Sequence, residues 1–190
     1  MKIAVIGTGK IGGTLGRRWR AAGHGVTYGS RAGSGNGPGG AAVMTVSEAL
    51  GGADAVLLAV PGGAVAGIVS ANGTALAGKV VVDAANRMRE PELNSRAAIA
   101  AAAPDARYVR AFSNLGWEIF ADPPPGAALF FAADHSARPV AEELISAVGL
   151  EPVFAGGAEA SITVDALVPL WFALVRHNSG NRRVALRIVR

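Results

Sequence analysis

The chain has 190 residues, 51% of them apolar and 17% charged, with 26 glycines and a net charge of +4. That suits one well-packed α/β domain with a small appendage, while two full domains would be cramped and a disordered chain would need far fewer apolar residues. Cysteine is absent, which excludes disulfides, thiolate metal sites and a cysteine nucleophile.

The first element is a strand, KIAVI at 2–6, followed by GTGKIG and a helix over 11–22. The spacing Gly7-x-Gly9-x-x-Gly12 is weak alone, but its place between strand and helix makes it a dinucleotide-binding turn. Gly7 turns the chain, Gly9 lets a pyrophosphate approach the backbone, and Gly12 brings helix against strand. Thr8, Lys10 and Ile11 fill the positions between and after them, and the helix N-terminus offers unpaired N–H groups to the phosphates. A merely structural glycine turn is the plainer alternative.

A second strand, GVTYG at 25–29, ends at Ser30 and Arg31. An NAD-binding chain carries a carboxylate about here, which accepts hydrogen bonds from the adenine ribose and repels a 2′-phosphate. A hydroxyl and a guanidinium reverse that preference, since both can pair with a phosphate. The site therefore favours NADP, with a surface cation at a loop start as the alternative for Arg31. Residues 32–42, AGSGNGPGGAA, predict a flexible loop where many such folds carry a helix.

Further strands are expected at 54–60, 79–84, 106–111, 128–133 and 151–155, with helices over 92–103 and in SARPVAEELISAVG. In the latter, Val140, Leu144 and Val148 share a face, Pro139 lies in the first turn and Gly149 is the C-cap. Several strands are continuously apolar, as in parallel sheets covered on both faces. The fold class is α/β, a doubly wound, mostly parallel Rossmann sheet. From Ser161 the pattern becomes helical, with apolar residues at 164, 167, 168, 171, 172 and 175 and a kink at Pro169. The division expected is a dinucleotide-binding domain over 1–158 and a small helical C-terminal subdomain over 159–190.

Five arginines, Arg176, Arg182, Arg183, Arg187 and Arg190, crowd the last fifteen residues. Without interleaved aromatics or a nucleic-acid motif they read as the solvated face of a final helix. No nucleic-acid or membrane partner is expected: the apolar stretch from Ala53 to Val69 is interrupted by Asp54 and by PGG at 61–63. No secretory signal precedes the first strand, so a cytoplasmic location is expected.

Ligands of doubly wound sheets bind at the carboxyl ends of the strands. Val60, Pro61, Asn86, Ser113, Asn114, Leu115 and Trp117 stand there as candidates to position a nicotinamide and its partner. Of the three histidines, His24 reads as structural and His135 as surface. His177 could face the acceptor pocket or simply pack.

The segments GTGKIG, GHGVTYGSR, LLAVP, VVDAAN, RAFSNLGWEIFADP and ALVPLWFALVRHNSG together resemble the coenzyme-F420-dependent NADP oxidoreductase family over essentially the whole chain. The same module is similar to the NADPH-binding domain of six-transmembrane ferric reductases. The resemblance implies NADP(H) held through Thr8, Ser30 and Arg31, coenzyme F420 as hydride partner, and a homodimer. Ser113, Asn114 and His177 are the residues expected nearest the chemistry. Hydride passing between two stacked rings needs positioning more than acid or base groups. A flavin, or a small imine or carbonyl compound, is the alternative acceptor. A regulatory NADPH-binding protein without turnover is the non-enzymatic alternative.

Overall fold

The computed structural model describes residues 1–189. Eight strands form one sheet: β1 (Lys2–Ile6), β2 (Gly25–Gly29), β3 (Val43–Met44), β4 (Ala55–Leu58), β5 (Val80–Asp83), β6 (Arg107–Arg110), β7 (Ala128–Ala133) and β8 (Glu151–Gly156). Their order is β3-β2-β1-β4-β5-β6-β7-β8. Every pair is parallel except β6 with β7. The expected doubly wound, mostly parallel sheet is therefore observed.

The eight helices are α1 (Lys10–Ala21), α2 (Val46–Gly51), α3 (Gly62–Leu76), α4 (Arg96–Ala102), α5 (Trp117–Ala121), α6 (Arg138–Val148), α7 (Ser161–Asp165) and α8 (Leu167–His177). Alternation along the strands feeds two cores. Ile3 and Val5 of β1 face Leu15 and Trp19 of α1 and Leu144 of α6. Ala4 and Ile6 face Leu50, Val65 and Ile99 on α2, α3 and α4. The Trp19 indole N–H, fully buried, donates to the Leu144 carbonyl at 2.9 Å and so fixes α1 against α6.

Residues 32–42 form a loop with one short 3-10 turn, Pro38–Gly40, in place of a full crossover helix. Just beyond it come β3 and α2, neither of which apolar runs reveal. A two-residue strand has no period to read. For α2 a signal was present in TVSE: the Thr45 hydroxyl accepts from the Glu48 amide and Glu48 bonds back to the Thr45 amide.

Three expected helices differ. The one predicted over 92–103 begins at Arg96 because the preceding residues are claimed elsewhere: the Ser95 amide donates to Asp83 at 2.6 Å and the Asn94 side chain to Asp165 at 2.7 Å. The long C-terminal helix is divided at Ala166, in the turn before Pro169, with the Ala166 backbone still in the helical region. Proline lacks the N–H that would bond the carbonyl four residues back, at Asp165, so the turn before it opens. The final basic helix is absent from the described residues. Ser179 and Gly180 take positive φ of 54° and 79° and end α8, and the chain then runs as an irregular tail. Its Leu186 carbonyl accepts from the Ala128 amide at 2.8 Å, beside the start of β7. Arg182 pairs with Glu118 at 2.8 Å and Arg183 with Asp122 at 2.7 Å, so these two cations lie against α5 and the residue that caps it. Arg190 lies outside the described residues.

The run Ala158–His177, mean hydropathy 1.5, is long and apolar enough to cross a membrane by length and composition, and 39% of it is buried here. In the fold this run is divided between α7 and α8 and carries a carboxylate into the protein. The Arg110 guanidinium, with no exposed surface, meets the Asp165 carboxylate through two nitrogens at 2.7 Å. This pair ties the helical C-terminal region to the end of β6.

Removing one partner of a buried, hydrogen-bonded pair leaves a desolvated charge and costs about 3–5 kcal/mol. Asp165→Ala, which strands both Arg110 and Asn94, is expected to lower unfolding free energy by that amount in a urea titration. A change within about 0.5 kcal/mol, as at an ordinary surface site, would contradict the clamp.

Candidate functional site

The glycine-rich turn has the geometry its sequence implies. Gly7 has φ +113°, and a Cβ there would sit 2.4 Å from the Ala59 carbonyl oxygen. A Cβ on Gly12 would sit 2.2 Å from the Gly7 carbonyl oxygen. A Cβ on Gly9 would meet nothing within 4 Å. So two glycines are required by the protein's own packing, and the third leaves open space in front of α1. No side chain caps that helix and its first turn holds no acidic residue. Thr8, Gly9 and Lys10 are exposed, Ile11 half-buried and Gly12 buried.

At the end of β2 the Ser30 Oγ is buried with no hydrogen-bond partner. Arg31 beside it is exposed and forms no ion pair among the described residues. An orphaned hydroxyl next to an unengaged guanidinium, on the strand neighbouring the open glycine turn, fits a bound phosphate group. These residues suit NADP: Gly7 to Gly12 for the pyrophosphate, Ser30 and Arg31 for the 2′-phosphate.

The opposite half of the edge is organised by Arg110. Its guanidinium donates to the backbone carbonyls of Asp83 at 3.1 Å and Ala85 at 2.6 Å, and to the Asn86 side-chain oxygen at 2.6 Å. Asn86, with its oxygen thus engaged, turns its amide nitrogen to the Ser113 carbonyl at 2.8 Å. Asp83 accepts from the amides of Ala85 and Ser95 and from the Tyr108 hydroxyl at 3.2 Å, and lies 3.5 Å from Arg110. Burial pushes the Asp83 carboxyl above its ordinary range, opposed by Arg110 and these donors. Burial, reinforced by the neighbouring Asp83, holds the Tyr108 phenol well above its ordinary value, so it stays a donor.

After β6 the chain passes through Phe112, whose φ of 60° is rare for a bulky residue. The ring is buried, packed edge-on to Trp19 at 5.7 Å and Phe120 at 5.6 Å between centroids. Such strain, of order 1–3 kcal/mol, persists only where surrounding packing over-determines it. Ser113, Asn114 and Leu115 follow along the sheet edge. The Asn114 amide nitrogen donates to the Phe130 carbonyl at 3.2 Å, while its oxygen and the Ser113 Oγ are buried without partners.

These residues line a cleft of about 150 Å³ together with Ile11, Asn86, Trp171, Phe172 and Arg182. The structure thus brings Ile11, Asn86, Ser113, Asn114 and Leu115 together. Pro61 opens onto an adjoining cavity across Asn86. Val60 is half-buried beside the Gly7 turn. Trp117 is the first residue of α5, outside the cleft lining, with the Lys10 ammonium 5.3 Å from its ring. His177 stands exposed at the end of α8 and does not line the cleft. Arg182 lines it, but its guanidinium is stacked 4.8 Å from the Trp171 ring and bonded to Glu118. Arg176 is exposed and lies outside the lining. Sequence reading missed the roles of Arg110, Asp83 and Asp165. For Asp83 a charged residue ending the otherwise apolar strand VVVD was the available signal; Arg110 and Asp165 carried none as plain.

Sheet order, glycine turn and edge cleft define a Rossmann-type dinucleotide-binding fold. Residues 2–87 match the family described as NADP oxidoreductase, coenzyme F420-dependent. A crystal structure from Arthrobacter sp. FB24, of a proposed F420-dependent NADP reductase, is 25% identical with TM-score 0.84 and covers 100% of both chains. A hypothetical protein from Sinorhizobium meliloti is 30% identical with TM-score 0.71, covering 85% of this chain and 87% of its own. An imine reductase from Streptomyces aurantiacus, 20% identical with TM-score 0.65, shares the fold over 93% of this chain and 64% of that one. Residues 2–87 thus match this family of NADP-dependent oxidoreductases, and the fold continues through the rest of the chain as in the Arthrobacter protein.

Proposed function

We propose that the protein transfers hydride between NADP(H) and coenzyme F420, whose flat ring would lie in the cleft over the Ser113–Leu115 edge. The observation that carries this reading is the cleft lining. It contains aromatic, aliphatic and amide groups, the Ser113 hydroxyl and one guanidinium already engaged with Trp171 and Glu118, and no Asp, Glu, His, Lys or Tyr. Such walls hold rings and place no acid or base beside them, which suits a deazaflavin acceptor: the hydride goes to a ring carbon, and the one proton that completes the reduction is taken from solvent. When bound, the nicotinamide supplies the hydride. The protein's share is to hold the edge: Arg110 orients Asn86, Asn86 fixes the Ser113 carbonyl, and the unpaired Ser113 hydroxyl and Asn114 oxygen are left to meet polar ring substituents.

We further propose a cytoplasmic homodimer joined through α8, on which Leu170, Phe172 and Leu174 are 45%, 40% and 37% exposed. Apolar surface of this kind is commonly covered by a partner. Light scattering at micromolar concentration should read twice the 19.1 kDa chain mass; a monomer would remove the interface.

Assigning the 2′-phosphate to Arg31 predicts a cofactor-selective loss. A hydrogen bond to a charged group contributes roughly 1.5–3 kcal/mol, so Arg31→Ala should weaken NADPH binding about ten- to a hundredfold and leave NADH nearly unchanged. Equal losses for the two cofactors would refute the assignment. The function itself is tested by following NADPH absorbance with F420, a flavin and a cyclic imine in parallel. Turnover with F420 alone or foremost is expected. NADPH binding without oxidation by F420 overturns the reading, in favour of whichever other acceptor is reduced, or of a regulatory NADPH-binding protein if none is.

A further inference from the structure

Asn86 separates the cleft from a larger cavity of about 560 Å³ on the other face of the sheet, lined by Pro61, Gly62 and Gly63 at the start of α3 and by Arg87, Arg89 and Ser95. Asn86 is the one residue the two linings share, and the chemistry of the larger cavity differs. No side chain caps α3, a helix of 15 residues; the Ala64 amide bonds the Pro61 carbonyl at 2.8 Å, which leaves the Gly62 and Gly63 amides at an electropositive N-terminus. Ser95 is 2% exposed, yet its Oγ is buried without any hydrogen-bond partner. A buried hydroxyl left unpaired is costly unless a ligand completes it. Arg87 is compensated by Glu90 at 3.6 Å and bonds the Asn94 carbonyl at 3.4 Å. Arg89 is exposed and has no ion pair among the described residues. One carboxylate therefore faces two guanidinium groups, beside a helix N-terminus and an orphaned hydroxyl.

We propose that this cavity is an anion subsite, taking a carboxylate or phosphate of the hydride acceptor while its reactive ring lies across Asn86. The assignment rests on the hydride-transfer reading for its ligand, but not for its geometry. The arginines near the cleft do not compete for the role: Arg182 is held by Trp171 and Glu118, and Arg176 does not reach the lining. Charge-assisted bonds from Arg89 and the Ser95 hydroxyl, with the Gly62 and Gly63 amides, would surround an oxyanion on three sides. The same chemistry would also hold a phosphate belonging to the cofactor, and the experiment separates the two sources.

Isotope-labelled protein, free and saturated with NADPH, is titrated with inorganic phosphate at constant ionic strength while amide resonances are followed. The expected result is saturable shifts at Gly62, Gly63, Arg89 and Ser95, with the same affinity in both forms. Arg89→Ala should weaken phosphate at least about tenfold, the equivalent of about 1.4 kcal/mol. Gly63→Asp should do the same by placing a negative charge in the pocket. It should fold normally, because nothing lies within 4 Å of the added Cβ and an acidic residue suits a helix N-terminus. Unchanged thermal midpoints verify both variants, and should either fail to fold, the other decides. Non-saturating shifts, shifts retained in both variants, or loss of binding on NADPH saturation would each overturn the proposal, the last by assigning the site to the cofactor. Phosphate binding as expected, with no acceptor reduced in the turnover panel, would instead show that the hydride-transfer reading had failed.

Discussion

A single buried cation governs the sheet edge at the ends of β5 and β6. Arg110 ends β6 with no exposed surface and is compensated by Asp165, by the Asn86 side chain and by the carbonyls of Asp83 and Ala85. Desolvating a guanidinium is tolerable only when its donors are met in this way. The consequence is positional. The ends of β5 and β6, the loop after β5 and the C-terminal helices must all arrive within reach of one planar group, and the edge they form carries Asn86 and Ser113. The strained Phe112, wedged between Trp19 and Phe120, fixes the chain's exit from β6 in the same sense.

The cofactor half depends on absence of side chains instead. Gly7 and Gly12 leave room that the protein's own backbone fills, and Gly9 leaves room that it does not. The division of labour follows: close glycine packing makes the turn rigid, while the open glycine, uncapped α1 and the orphaned Ser30 hydroxyl leave polar groups to be completed by a ligand. An enzyme that moves hydride between rings asks for little else from its side chains, because orientation supplies most of what the reaction needs.

Much of this was legible in the sequence, for reasons that differ by element. Apolar runs such as IAVI and VVV mark strands buried on both faces, and the glycine spacing carries its own mechanism. Ser30 and Arg31 stood out because a missing carboxylate at a strand end has a chemical meaning, and the structure leaves the Ser30 hydroxyl without a partner and Arg31 exposed. Elements decided by distant partners could not be read. Arg110 and Asp165 are 55 residues apart, and Ser95 leaves its predicted helix only because Asp83 takes its amide. The tail after Gly180 looked helical by composition. Positive φ at Ser179 and Gly180, and pairing with Ala128, Glu118 and Asp122, direct it elsewhere. Short capped elements such as α2 were written in the chain as a Thr-x-x-Glu pair, which apolar periodicity does not detect.

The central claim is that hydride passes directly from a nicotinamide to a ring held at the Ser113–Leu115 edge. Single-turnover mixing of the protein with NADPH deuterated at the transferring position of the nicotinamide, followed by mass analysis of the reduced F420, tests it most directly. The account predicts one deuterium in the reduced acceptor and a slowed loss of NADPH absorbance relative to the unlabelled cofactor. NADPH bound at the glycine turn with no deuterium delivered to F420 would contradict it.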